Sequence, residues 1–370
     1  MASDPPEDLA DPPPNRAGLR YGWTTGACAT AATKAAYTAL LTGEFPDPVQ
    51  ITLPRGHTPS FALTRQRLVV DEASASVTKD AGDDPDVTHG AVITATVRVR
   101  ETGAGVLFVA GPGVGTITKP GLPLEVGEPA INSAPRQMMR AAVAQVAAAH
   151  GGGGDVVVEL SVDDGAEIAT HTWNPRLGIL GGLSILGTTG IVVPYSCSAW
   201  IDSIRRGIDV ARAVGHQHVA GCTGSTSEDT VRALYGLADD ALLDMGDFAG
   251  AVLKYLRRHP VARLTIAGGI GKLSKLAAGH LDLHSGRSQV DVRGLAALAA
   301  AAGASARLVD QIATANTALE ALQLSQRDGF GLGDLVAAGA RRTAQEVLRE
   351  APVAVDIVVI DRAGAVVGRA

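Results

Sequence analysis

Cysteine is scarce in this chain of 370 residues: Cys28, Cys197 and Cys222 are the whole complement, and they lie far apart. Neither a disulfide framework nor a CxxC metal site can be built from them, and such usage fits a reducing, cytoplasmic compartment. Aromatic residues make up only 4%, and the net charge is −6. A nucleic-acid binder shows a basic stripe or stacking aromatics, and neither is visible. Although 46% of residues are hydrophobic, no apolar run approaches the roughly 20 residues that a membrane span requires. The opening MASDPPEDLADPPPN is acidic and proline-rich, unlike the basic start and apolar middle of a signal peptide. It reads as a disordered tail over residues 1–18, with folding from Leu19. What is left is small-molecule chemistry, with no membrane and no nucleic acid as partner.

The length suits about two domains at roughly 150 residues each. In the first half, helices are expected over Ala27–Leu41 and Arg136–His150, with strand-like stretches between them. Val92 to Arg100 alternates with period two, the mark of a half-buried strand. After the GGGG at Gly151 to Gly154, strands are expected at Asp155–Val162 and Glu167–Thr172. Strands with two packing helices argue for an α+β domain over 19–176. From there to residue 370 the order becomes β-α-β-α-β, followed by helices near 290–302, 307–322 and 332–349, a strand at 354–358 and a hairpin at Asp361–Gly364. That alternation implies a Rossmann-like α/β domain with a mostly parallel sheet and right-handed crossovers.

The turn GCTGSTS, with Gly221, Thr223, Gly224 and Ser225, sits between a strand and a helix. Helix N–H groups and the helix dipole there favour anionic or strongly polar ligand groups, although each hydroxyl alone suits simple capping. Asp244 lies about 20 residues on, where doubly wound folds place an acid against a ribose hydroxyl; Asp247 is a second acid nearby. S-adenosylmethionine carries such a ribose. The later turn GGIGK, with Lys272, fails as a phosphate loop, since Ile266 and Leu273 stand where glycine and Ser or Thr are needed. Thr24-Thr25-Gly26 precedes an alanine-rich helix and reads evenly as cap or as ligand contact.

Lys79-Asp80-Ala81-Gly82-Asp83-Asp84-Pro85-Asp86 crowds four carboxylates into one turn. Some serve to bond their own backbone. Crowding also raises carboxylate pKa values, as a proton acceptor requires, so Asp80, Asp83 and Asp84 are the candidate general bases. Their spacing matches no calcium loop. The histidine pairs His216/His218 and His280/His284 lack a third ligand, so no metal site is expected. Lys119, Arg136 and Arg176 stand beside glycine or proline turns, where fixed cations suit a polycarboxylate substrate, although surface ion pairs are their usual fate.

The blocks YGWTTGACATAATKAA, VTKDAGDDPDVTHGA, GVGTITKPGLPLEVGEPAIN, PRQMM, TWNPRLGILGGLSILGTTGIV, GCTGSTSE, MGDFAGAVLKY and GGIGKLSKLAAGHLDLHS together resemble the cobalt-precorrin-5B C-1 methyltransferase family, CbiD, from about Leu19 to Ser285. The resemblance implies an α+β domain joined to a Rossmann-like one. It also implies methyl transfer from S-adenosylmethionine to C-1 of cobalt-precorrin-5B, giving cobalt-precorrin-6A in anaerobic cobalamin biosynthesis. On that footing one of Asp80, Asp83 and Asp84 would take a ring proton. Lys119, Arg136 and Arg176, with Thr24, Thr25, Lys79 and Lys272, would hold the tetrapyrrole. The Gly221–Ser225 turn and Asp244 or Asp247 would hold the cofactor, with substrate in a cleft between the domains. A homo-oligomer and transient contacts with neighbouring pathway enzymes are compatible with this. The rival readings are a non-catalytic carrier of corrinoid intermediates and a small-molecule phosphotransferase.

Overall fold

The computed structural model describes residues 18–370; the expected N-terminal tail, Gly18 apart, lies outside them. The chain divides into two compact units, Met1–Ser196 and Cys197–Ala370. The expected boundary at Arg176 falls short of this division. Residues after Arg176 return to the first unit as two-residue pairings: Ile179–Leu180 with Thr116–Ile117, Gly182–Leu183 with Gly113–Val114, and Ile191–Val192 with Gly22–Trp23. Pairings so short carry no sequence period, so nothing in the pattern announced them.

The first unit holds helices α1 (Thr25–Thr42), α2 (Ser133–His150) and α3 (Gly165–Thr170), and strands β1 (Arg65–Val69), β2 (Glu72–Thr78), β3 (Val92–Val99), β4 (Val106–Ala110) and β5 (Val156–Val162). The sheet order is β1-β2-β3-β5-β4, antiparallel except for the parallel pair β5–β4. Helix α1 packs against β2, β3 and α2. Its Ala27, Ala29, Ala31, Ala32, Ala35, Ala36 and Ala39 are all fully buried, as expected of a helix apolar all round. Small side chains let it lie close to the sheet, where Ala73, Ala75, Ile93, Ala95 and Val97 are buried in turn. The other sheet face is polar. Ser74 and Thr96 share a hydrogen bond at 2.9 Å, Ser76 and Thr94 one at 2.8 Å, and Arg98 bridges Glu72 and Glu159. Residues 167–172, expected as strand, fall largely in helix α3; Ala166, Glu167 and Ala169 are good helix formers in a stretch too short to show a period.

The second unit contains α4 (Cys197–Ala213), β6 (His218–Cys222), α5 (Ser225–Tyr235), β7 (Leu242–Asp244), α6 (Ala249–Arg258), β8 (Arg263–Gly269) and α7 (Ile270–Ala277). Then follow α8 (Val292–Ala301), α9 (Ala306–Ala313), α10 (Ala318–Arg327), α11 (Leu332–Leu348), β9 (Ala354–Ile360) and β10 (Val366–Arg369). The sheet order is β7-β6-β8-β9-β10, parallel through β9 with an antiparallel edge at β10. The chain leaves β6 outward to β7 and then crosses back to β8, so the direction of winding reverses between β6 and β8. The single helix expected over 307–322 is two, because Thr317 caps α10 by accepting from Glu320 N–H at 3.1 Å, while Glu320 accepts from Asn316 N–H, a near relative of the capping box.

The two faces of the first sheet should respond differently to substitution. Ala95→Leu forces extra methylenes against α1 and is expected to cost about 1–3 kcal/mol. Ser74→Ala removes one hydroxyl pairing on the polar face and should cost about 1 kcal/mol or less. Urea unfolding followed by circular dichroism measures both, and equal losses would contradict this packing.

Candidate functional site

In the first unit, three distant segments meet at the acidic turn. The backbone of Gly22 lies so close to that of Ala81 that an added Cβ would stand 2.0 Å from the Ala81 carbonyl carbon. Gly82, at φ +67°, comes equally near Arg20, with its would-be Cβ 2.2 Å from the Arg20 carbonyl oxygen. Backbone bonds stitch the approach: Trp23 N–H donates to Asp80 O at 2.7 Å, and Asp83 N–H to Arg20 O at 3.0 Å. The third segment arrives through the Gly22–Val192 pairing and Thr24 N–H donating to Gly190 O.

Each carboxylate of the turn has a task. Asp80 pairs with the Arg20 guanidinium and accepts from Gly82 N–H at 2.9 Å; these two interactions hold its carboxyl below the usual range. Asp83 accepts from Arg20 N–H at 2.7 Å, and Asp84 from Tyr195 N–H at 2.8 Å. Asp86 receives the Lys79 ammonium at 2.7 Å and both donors of Thr88. Burial alone would raise Asp86, but the charge and hydrogen bonds of Lys79, with those of Thr88, outweigh it and lower the carboxyl. The raised carboxylate expected from crowding therefore does not arise at Asp80 or at Asp86, because cations and donors are interleaved with the acids. Lys79 is only 2% exposed, its ammonium enclosed against Asp86.

Several other expected contacts are likewise internal. Thr24 caps α1 by accepting from Ala27 N–H at 3.2 Å, and the Thr25 hydroxyl bonds the backbone of Leu186; both threonines are buried. Arg136 spends its guanidinium on Ile131 O, Pro129 O and the Glu128 carboxylate. Lys119 remains half-buried with its stem across Gly178, and Arg176 lies 5.4 Å over the Trp173 ring. Cys28, in α1, is fully buried, and burial pushes its thiol up to about 12.

The second unit carries a cleft of about 430 Å³ at the carboxyl ends of β6, β8 and β9, lined by residues 223–227, 269–271 and 360–362 with Leu319. Thr223, Gly224 and Ser225 line it, while Gly221 is buried beneath. Helices α5 and α7 both open onto the cleft from glycine caps, Gly224 and Gly269, without a side-chain cap bond. Asp244 ends β7 beside Cys222, and its carbonyl accepts from the Trp200 indole N–H at 2.9 Å. Asp247 does not line the cleft; its buried Oδ1 lies 3.2 Å from Lys272 Nζ, short of hydrogen-bond alignment. Lys272 also donates to Thr223 O at 3.0 Å, so it braces the turn from within. Ile360, Asp361 and Arg362 were not singled out from sequence. A strand at 354–358 was expected, but its place beside β8, which brings its carboxyl end to the cleft, follows only from the sheet pairing.

The CbiD family model matches residues 13–194, and the model of the CbiD C-terminal domain matches residues 282–370. A cobalt-precorrin-5B C(1)-methyltransferase of Paramagnetospirillum magneticum is 62% identical over 352 residues, spanning 95% of this chain and 98% of that protein. One from Brucella anthropi is 61% identical over 354 residues, 96% of each chain. Among solved structures, the cobalamin biosynthesis protein cbiD of Archaeoglobus fulgidus is 28% identical, covering 73% of this chain and 83% of that one with a TM-score of 0.40.

Two outcomes check the geometry of the first unit. A depressed Asp86 carboxyl adds stability above its ordinary value of about 3.9 and loses it as pH falls through the folded value. Acid unfolding of the wild type should therefore carry an Asp86 component that Asp86→Asn abolishes, and that variant should lose about 3 kcal/mol or more by stranding buried Lys79. Gly22→Ala should cost about 2–4 kcal/mol, because only backbone can yield at Ala81; a thermal midpoint within experimental scatter of wild type would refute the close approach.

Proposed function

The chain belongs to the CbiD family, and on that premise we propose that it methylates C-1 of cobalt-precorrin-5B with S-adenosylmethionine, giving cobalt-precorrin-6A in the anaerobic, cytoplasmic route to cobalamin. The relatives carry the reaction. The single structural observation that ties it to residues is the cleft at the strand ends of the second unit. We read that unit as Rossmann-like, with the cleft beside the point where winding reverses, the place where such folds bind ligands.

The residues fit the cofactor. A volume of about 430 Å³ falls within the usual size of small-molecule sites. The first turns of α5 and α7 offer N–H groups that no side chain caps among the described residues, and these suit the carboxylate of the methionine moiety. Asp244, at the end of β7 and outside the residues lining the cleft, is the acid we assign to a ribose hydroxyl, and the Lys272 brace through Thr223 and Asp247 keeps the turn in shape. When bound, the cofactor supplies an activated methyl group as a sulfonium.

In the first unit, Lys119 and Arg176 are the cations we assign to substrate carboxylates; Arg136, Lys79, Thr24 and Thr25 act by holding the fold. Carbon–carbon bond formation at C-1 leaves the ring system one proton to lose. Asp83 is the acceptor we favour, since it is exposed and accepts from the Arg20 backbone N–H, whereas the Arg20 guanidinium keeps Asp80 ionised and weakly basic. Positioning dominates the rate, because the sulfonium leaves without protonation.

Incubation with methyl-labelled S-adenosylmethionine and cobalt-precorrin-5B should label the tetrapyrrole at C-1; no transfer to authentic substrate sinks the reading. Asp83→Asn should lower kcat about 100-fold with cofactor affinity unchanged. Asp244→Ala should weaken cofactor binding about tenfold by calorimetry.

A further inference from the structure

We propose that Tyr195 is a substrate-contact residue that receives the flat face of the tetrapyrrole, and that Asp84 positions it and is not a base. The inference rests on the reading of the protein as a corrin methyltransferase and names a residue which that reading left out. Tyr195 has φ +57°, one of three non-glycine residues with positive φ among those described. A bulky side chain is disfavoured in that region, and a residue stays there only when its surroundings hold it. What holds it is a carboxylate from far along the chain: Asp84 Oδ1 accepts from Tyr195 N–H at 2.8 Å. A charge-assisted bond of this kind is stronger than a neutral one.

The strained backbone gains nothing for the core. Tyr195 is 60% exposed, and among the described residues its ring contacts no other ring and its hydroxyl makes no hydrogen bond. The fold therefore spends both a carboxylate and an unfavourable backbone conformation on presenting a phenol ring to solvent. An aromatic ring carries a large contact area at small entropic cost, and a tetrapyrrole offers an apolar π-face bordered by carboxylates. The surroundings suit such a ligand. The acidic turn that clamps Tyr195 also carries Asp83, the proposed acceptor, and is joined by Arg20, whose guanidinium is exposed beside Asp80.

The test uses the full chain, cobalt-precorrin-5B binding followed by the tetrapyrrole absorbance, and steady-state methylation. Tyr195→Ala should raise the tetrapyrrole Kd and KM about tenfold, while Tyr195→Phe stays near wild type because the ring, not the hydroxyl, makes the contact. Cofactor affinity by calorimetry should be the same in all variants. Asp84→Asn should raise KM and leave the pH profile of kcat unchanged, whereas a base would lose kcat and its pH limb. Tyr195→Ala binding tetrapyrrole as tightly as wild type would overturn the inference, as would Asp84→Asn losing its pH limb. If wild type binds the tetrapyrrole but transfers no methyl group, the functional reading fails alone, and the binding comparison still decides the role of Tyr195.

Discussion

The approach of the Gly22 backbone to Ala81 is the constraint on which the first unit depends. No side chain fits between these segments, so the chain entering at Arg20 is laid directly on the acidic turn. From there the consequences run in order. Trp23 bonds Asp80 O, Gly22 pairs with Val192, and Thr24 takes up the first turn of α1. The alanines of α1 then meet the alanines of β2 and β3 at short range. A bulky residue at the start of this series would displace the turn, the last short strand and the helix together.

Charge in this protein works mainly as internal fastening. Lys79 closes the acidic turn on Asp86, Arg20 fixes Asp80, Arg136 ties down the segment before α2, and Lys272 spans Thr223 and Asp247. A cation on a rigid turn looks the same in sequence whether it faces a ligand or its own backbone. Desolvation decides between the two: once a lysine is buried, an uncompensated charge is so costly that a carboxylate must accompany it.

That distinction marks how far the sequence could be read. The main strands and helices follow from hydrophobic period and small-residue patterning, and the turn at Gly221–Ser225 follows from its place between β6 and α5. The boundary did not, because the two-residue pairings of residues 179–192 have no period. Nor did the cleft's far wall, since Ile360 to Arg362 lie well over a hundred residues from the turn they face and become neighbours only when β9 joins β8. Tyr195 was invisible for a different reason: its meaning lies in a backbone dihedral and a long-range carboxylate, neither of which leaves a local pattern.

Where the fold declines a local optimum is therefore informative. Helices α8, α9 and α10 begin at Asp291, Ser305 and Thr317, and each of these side chains accepts a first-turn N–H. Helices α2, α3, α6 and α11 begin at Asn132, Asp164, Phe248 and Gly331 with no such bond. At α5 and α7 the chain begins on Gly224 and Gly269, although Thr223 and Ser225 stand one residue from the cap of α5, so that oxygen could have been supplied at little cost. An uncapped start is thus shared by six of the described α-helices, and what sets α5 and α7 apart is that both open on the same cleft. Tyr195 departs from local preference in a different way, through a left-handed backbone that the Asp84 carboxylate holds from far along the chain.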